Sequence, residues 1–372
     1  MKLKRNTKFL ALCCSLLAVI LLPGCKNSYM FKALCDTYLQ FRAVPHIDGY
    51  RIFNNNVVGT GTPQDWPISK GYNTMTIPDS SMKYMRKHKT LAYLIIKNDS
   101  ICYEQYFDGY SDSSHTNSWS MSKSIVSLLV GIAIDEGKIK NVDQKVSDFI
   151  PSYNIGLDSL LTIKDLLTMS SGIKFGENYA DPFGYAAKAL YGNNLLWLTH
   201  KYHCVKKPGT EFYYQSGNTV LLGEIVAKVT GKTLSEYASE KLWKPMGAEK
   251  PALWSLDHKG GIEKSFCNFY SNARDFARLG RLMMDSGRWN GKQIVSKEYV
   301  AASGMGKTVP YYGYQWWTQN VGKHKVIAAW GFCGQYVLII PDAHIIVVRL
   351  GKMEDDADIA RYAGIALRMY GG

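Results

Sequence analysis

The chain has 372 residues, 46% of them hydrophobic and 20% charged, which fits one large globular domain or two ordinary ones. This composition excludes a disordered chain, a collagen-like or coiled-coil fibre and a multi-span membrane protein. The formal net charge of +13 is spread without a block of five like charges, so it singles out no acidic partner, and no nucleic acid is expected.

In chain order, residues 1–24 read as an export signal. Lys2, Lys4, Arg5 and Lys8 precede an apolar run over residues 9–22, too short to span a bilayer and suited to a signal-peptide core. The run ends in Leu22-Pro23-Gly24-Cys25, which resembles the lipobox of bacterial lipoproteins, where the Cys is acylated and becomes the mature N-terminus. The expectation is an exported bacterial lipoprotein, anchored to a membrane through a lipid on Cys25 on the periplasmic or cell-surface side. Beyond the signal and Cys25, Cys35, Cys102, Cys204, Cys267 and Cys333 have no C-x-x-C spacing, so neither a disulfide framework nor a zinc ribbon is indicated. His200-x-x-His203-Cys204 lacks a second ligand pair, and neither a metal nor another cofactor is expected.

Residues 25–69 are irregular and polar-aromatic and read as a tether and lead-in to a domain over residues 70–372. Strand-like runs at 90–97 and 100–107 are joined by Asn98-Asp99, a hairpin signal. Residues 120–136 form a helix apolar almost all round, which belongs in the middle of a domain. Helical patterns follow at 162–169, 219–229, 234–242 and 272–286. Strand signals return at 312–318, 325–330, 335–340 and 344–350, and a helix at 359–369 ends the chain. Strands early and late, with helices between, predict an α+β fold: one antiparallel sheet of about five strands built from 90–107 and 312–351, flanked by the terminal helices, and an all-helical lobe over about 120–290.

Ser120-Met121-Ser122-Lys123 is an S-x-x-K sequence, and two further matches occur at 80–83 and 171–174. Only Ser120 opens the buried helix, so its Oγ lies at the positive end of a helix dipole, where developing oxyanion charge is favoured. Lys123 sits one turn on, on the same face, and a lysine buried there can act as base.

Trp119-Ser-Met-Ser-Lys-Ser124, followed by Val130-Gly-Ile-Ala-Ile-Asp-Glu-Gly137, resembles the nucleophile region of the serine β-lactamase and penicillin-binding-protein superfamily. It is similar in particular to class C β-lactamase-like esterases, D,D-peptidases and 6-aminohexanoate-dimer hydrolases. Supporting stretches are Leu161-Thr-Ile-Lys-Asp-Leu-Leu-Thr-Met-Ser-Ser-Gly-Ile173, Pro208-Gly-Thr-Glu-Phe-Tyr-Tyr-Gln-Ser-Gly-Asn218 and Tyr312-Gly-Tyr-Gln-Trp-Trp317. The resemblance implies a β-lactamase/transpeptidase-like fold and a metal-independent serine hydrolase acting on a small-molecule or peptide amide or ester. It assigns Ser120 as nucleophile, Lys123 as base and Tyr214 as the proton shuttle to the leaving group. In a second register, Ser216-Gly217-Asn218 stands for the S-D-N of class A enzymes; Tyr214 is preferred, because a phenol can shuttle a proton and a neutral Asn cannot.

The third family motif, K-T-G, is missing. Ala329-Trp330-Gly331 occupies its place, followed by Phe332 and Cys333, so the cation that would grip a substrate carboxylate is absent. Gly331 lets the strand approach, and the Phe332 N–H pairs with that of Ser120 as the expected oxyanion hole. Ser216, Trp330, Gly331 and Asp181 are the expected substrate contacts, with Tyr179 and Tyr185 in the same loop as Asp181. Two other readings of the cleft are a penicillin-binding-type D,D-peptidase for cell-wall peptides and a lipoprotein that binds without catalysis.

Overall fold

The computed structural model describes residues 29–37 and 46–371, so the export signal and Cys25 lie outside the described residues. The first half contains α1 (Tyr29–Asp36), β1 (Asn55–Val58), α2 (Asp79–Lys87), β2 (Thr90–Lys97), β3 (Ser100–Tyr106), β4 (Thr116–Asn117), α3 (Met121–Asp135), α4 (Ile163–Leu167), α5 (Tyr185–Tyr191) and α6 (Leu195–Thr199). The second half contains α7 (Ser216–Thr230), α8 (Leu234–Ala238), β5 (Ala252–Ser255), β6 (Phe269–Ser271), α9 (Ala273–Met284), β7 (Arg288–Trp289), β8 (Lys292–Gln293) and α10 (Lys297–Ser303). It closes with β9 (Trp317–Val321), β10 (His324–Gly331), β11 (Gln335–Ile340), β12 (Ile345–Gly351) and α11 (Asp358–Tyr370).

One antiparallel sheet is built from both chain ends, in the order β3-β2-β12-β11-β10-β9, six strands rather than about five. The β2–β3 hairpin turns at Asn98 and Asp99, both left-handed with φ 48° and 61°, the pair a tight hairpin needs. Alternation along the strands sorts the side chains. Tyr93, Ile95, Tyr336, Leu338 and Val347 meet Tyr362, Ile365 and Ala366 of α11 on one face. Leu94, Ile96, Val337, Ile339 and Val348 join the main core on the other, beneath α9 and α3. There α9 lies so close that a Cβ on Gly280 would stand 2.7 Å from Ile346 Cγ2. The expected strand at 312–318 begins only at Trp317. Upstream of it Gln315 is left-handed, with φ 62°, and its side-chain amide donates to the Leu166 and Leu167 carbonyls, pinning the sheet edge to the helical lobe.

A second sheet, of order β1-β5-β6-β4, is not evident in the sequence pattern, and its β5 and β6 lie within residues 120–290, so that stretch is not all-helical: strands of four and three residues are too short to show a period of two. It takes β1 from the expected lead-in, and Trp66 of the same stretch is buried in the main core with its indole N–H on the Arg274 carbonyl. In the connection between β5 and β6 Lys264 is fully buried, and its ammonium has no hydrogen-bond partner among the described residues. Burial pushes its pKa down to about 8. The folded value lies below the unfolded one, so the destabilisation is fully present below pH 8 and fades as pH rises toward the ordinary lysine value. Lys264→Met is therefore expected to raise stability at pH 7 by about 3 kcal/mol, with the gain shrinking by pH 10. Thermal melts at the two pH values check this, and a gain independent of pH would contradict it.

Candidate active site

Ser120 caps the N-terminus of α3, and the residue before it, Trp119, is held left-handed at φ 46°. A non-glycine in that conformation needs support. It comes from the Asn117 side chain, whose Oδ1 accepts the Trp119 N–H at 2.8 Å. Behind Ser120, three hydroxyls of α3 are tied to backbone carbonyls: Ser122 to Ser265, Ser124 to Gln315 and Ser127 to Tyr314. The helix that carries the serine is thus fixed to both the β5–β6 connection and the 312–316 segment.

Lys123, one turn on, is buried, and its Nζ donates to Ser120 Oγ at 2.9 Å and to the Phe266 carbonyl at 3.0 Å. Both partners are uncharged oxygens. The Tyr214 ring centroid lies 5.1 Å from the same Nζ and that of Phe266 5.8 Å. Of the other S-x-x-K matches, Ser80 and Lys83 are exposed on α2, and Lys174 is exposed beyond a turn.

Tyr214 lies on the extended segment before α7. Its neighbours fix it: the Tyr213 N–H donates to the Met169 carbonyl, and the Gln215 side chain bridges the Ile173 carbonyl and the Gly176 N–H. The Tyr214 ring packs on Trp317 and Tyr312, and no hydrogen bond joins its hydroxyl to Ser120 or Lys123. Ser216 and Asn218 look elsewhere. The Ser216 N–H and hydroxyl donate to Glu177 at 2.7 and 2.5 Å, and Tyr179 Oη lies 3.1 Å from Ser216 Oγ. The buried Asn218 amide donates to Met169 Sδ. Of the two registers, Tyr214 is the one beside Lys123.

The end of β10 abuts the serine loop. A Cβ on Gly331 would stand 2.0 Å from the Ser118 carbonyl oxygen, so only glycine permits this approach. One residue on, the half-exposed Phe332 ring meets Trp119 edge-on at 5.9 Å. The backbone N–H groups of Ser120 and Phe332 donate to no described residue. Gly331→Ala is expected to push β10 off the serine loop and, with the Phe332 N–H as the expected oxyanion donor, to lower kcat by about 10²-fold or more. A kcat within threefold of the parent would contradict that role. Ala329 is buried on the sheet face toward the helical lobe, whereas Trp330 is turned to the other face, on Trp317, with its indole N–H on Glu354. Through Trp317 its ring reaches Tyr214, which lies beside Lys123.

Asp181 is exposed and accepts the Phe183 N–H at 2.9 Å, closing its own turn. Tyr185 is buried against Thr199. Two residues that the sequence reading did not single out belong to this neighbourhood. Glu177 organises Ser216 and Tyr179, and nothing in its pattern marked it among the loop's polar residues. Cys267 follows the Phe266 carbonyl that holds Lys123; burial pushes its thiol up to about 12, against the opposing charges of Lys123 and Lys264. Burial likewise pushes the Cys333 thiol up to about 12. His200 pairs with Glu224, His203 with Asp158, and the Cys204 thiol donates to the Ser171 carbonyl. No group of three His, Cys, Asp or Glu among the described residues is placed to hold a metal ion.

Residues 81–367 match the beta-lactamase family profile. The 6-aminohexanoate-dimer hydrolase of Paenarthrobacter ureafaciens is 28% identical over 307 residues, covering 75% of this chain and 76% of that one. A candidate D-alanyl-D-alanine carboxypeptidase of Escherichia coli (strain K12) is 28% identical over 312 residues, 65% of this chain and 68% of its own. Among solved structures, a candidate 6-aminohexanoate-dimer hydrolase from Bacillus anthracis superposes with a TM-score of 0.75 at 20% identity, covering 87% of this chain and 92% of that one. A family VIII carboxylesterase superposes with a TM-score of 0.62 at 16% identity, over 82% and 99% of the two chains. The chain belongs to the beta-lactamase family, as a serine hydrolase with the β-lactamase/transpeptidase-like α+β fold.

Proposed function

We propose that this enzyme cleaves a neutral ester or amide through an acyl-enzyme on Ser120. The observation that carries the reading is the 2.9 Å contact between Lys123 Nζ and Ser120 Oγ at the start of α3, with the Tyr214 ring beside the same nitrogen. Lys123 takes the hydroxyl proton as Oγ bonds to the carbonyl carbon, and the carbonyl π pair moves onto oxygen. The Ser120 and Phe332 N–H groups, both without a described partner, hold that oxyanion. Collapse breaks the bond to the leaving group, which receives its proton through Tyr214. Water, deprotonated through the same relay, then releases the acid and restores the Ser120 hydroxyl.

Ala329 and Trp330 supply no cation where relatives with K-T-G carry one. Arg274 is spent on Glu104, and Arg278 is buried against Asp275 and Glu249. Lys325 sits six residues up β10 from Gly331, roughly 20 Å along an extended strand. Neutral substrates with an apolar arm suit the exposed Phe332 ring. The Leu22-Pro23-Gly24-Cys25 motif supports a further part of the proposal, that a lipid on Cys25 holds the enzyme at a bacterial membrane.

Tyr214→Phe is expected to lower kcat by about 10²-fold or more while leaving labelling of Ser120 by a fluorophosphonate detectable. Asn218→Ala is expected to change kcat much less. The reverse ranking, on p-nitrophenyl esters, would move the proton shuttle to the Ser216-Gly217-Asn218 register.

A further inference from the structure

The stretch after Cys25 is expected from its sequence to be a long tether, yet the chain is packed again only four positions later. Helix α1 docks on α5: the Tyr191 hydroxyl donates to Asp36, and Lys32 donates to Asn193 just past α5. Tyr29, the first residue of α1, lies within reach of the Asp181 carboxylate, which adds to burial in raising its phenol pKa. Only Lys26, Asn27 and Ser28 separate Tyr29 from Cys25, and the four steps between them span at most ~14 Å. A lipid on Cys25 therefore confines the Asp181 end of the molecule to the immediate neighbourhood of the headgroups.

That end carries apolar side chains facing solvent. Phe183 is 65% exposed, Trp197 of α6 is 59% exposed, and Met30 of α1 is also exposed. The Lys201 ammonium stands 3.1 Å over the Trp197 ring, an arrangement in which an aromatic body enters the interface and the cation stays at headgroup level. Lys188 and Lys32 add positive charge on α5 and α1. The same loop bears Tyr179, whose hydroxyl meets Ser216 two residues beyond Tyr214.

We infer that this face, formed by α1, the 176–184 loop and α6, rests on the surface of an anionic lipid bilayer, so that the loop beside the catalytic cleft is held at the membrane. The inference rests on lipidation of Cys25, and its test separates the two. The full chain is expressed with its signal, purified, and reconstituted into phosphatidylethanolamine–phosphatidylglycerol vesicles containing doxyl-labelled lipid. Bimane is placed at Phe183→Cys, Trp197→Cys or Ala360→Cys, the last on α11 beyond the far face of the six-stranded sheet, with the parent chain giving the background of native thiols. Insertion of the apolar tips predicts quenching at Phe183→Cys and Trp197→Cys at least about threefold stronger than at Ala360→Cys. Equal quenching at the three positions, or stronger quenching at Ala360→Cys, in a chain whose Cys25 is shown by mass to be acylated, would overturn the docking face and leave the anchor standing. Absence of the lipid from Cys25 would overturn both.

Discussion

Ser120→Ala is expected to lower kcat/KM for p-nitrophenyl esters by about 10⁵-fold or more, since a nucleophile and its base act as one unit. Lys123→Ala is expected to fall by a similar factor, and the double variant scarcely further. The geometry explains why: Lys123 has two partners, the Ser120 hydroxyl and the Phe266 carbonyl, and only the first can give up a proton. Loss of Ser120 Oγ leaves the Phe266 contact to hold the lysine, so the fold is expected to survive with little change in melting temperature. Activity in Ser120→Ala within tenfold of the parent would remove Ser120 from the mechanism. Additive losses in the double variant would show that Lys123 works independently of it.

The second large effect concerns substrate charge. A carboxylate carried to the end of β10, where Ala329 and Trp330 offer no cation, would lose its water without gaining a partner, at a cost of several kcal/mol. Discrimination of at least about 10³-fold in kcat/KM is expected between a short neutral ester and a chromogenic cephalosporin, from some 4 kcal/mol of unpaid desolvation. Three candidates for a replacement cation are accounted for: Arg274 and Arg278 are paired with carboxylates, and Lys325 lies far along the strand. Both rates measured on one preparation decide the matter. A ratio favouring the cephalosporin would mean that another cation reaches the anion position.

The large sheet and the serine helix were legible because their patterns are long. β2 reads as an almost continuous apolar run because it is covered on both faces, and α3 is apolar all round because the core surrounds it. The small sheet was not legible: β4, β5 and β6 have two to four residues each, too few to show a period of two. Helix α1 falls within the expected tether because eight residues, Tyr29–Asp36, carry little signal until α5 is there to pack against. In the site, Ser120 and Lys123 share one turn of helix, so their meeting follows from spacing alone. Tyr214 meets them only through the Met169 and Gln215 contacts that fix its segment, and this required the family resemblance. Glu177 could not be found either way. Its role depends on Ser216 being across a loop, a contact that no local spacing encodes. Trp330 shows the converse: the resemblance gave its position in the motif, but strand alternation turns its ring away from Ala329 and onto Trp317.

The most direct test is to trap the covalent intermediate. The enzyme is mixed with a p-nitrophenyl ester, quenched in acid within the first turnovers, digested and read by mass spectrometry. An acyl group on the peptide carrying Ser120, absent in Ser120→Ala and accumulating in Tyr214→Phe, is the predicted result. An unmodified Ser120 peptide during active turnover, or an acyl group on a different residue, would contradict the account.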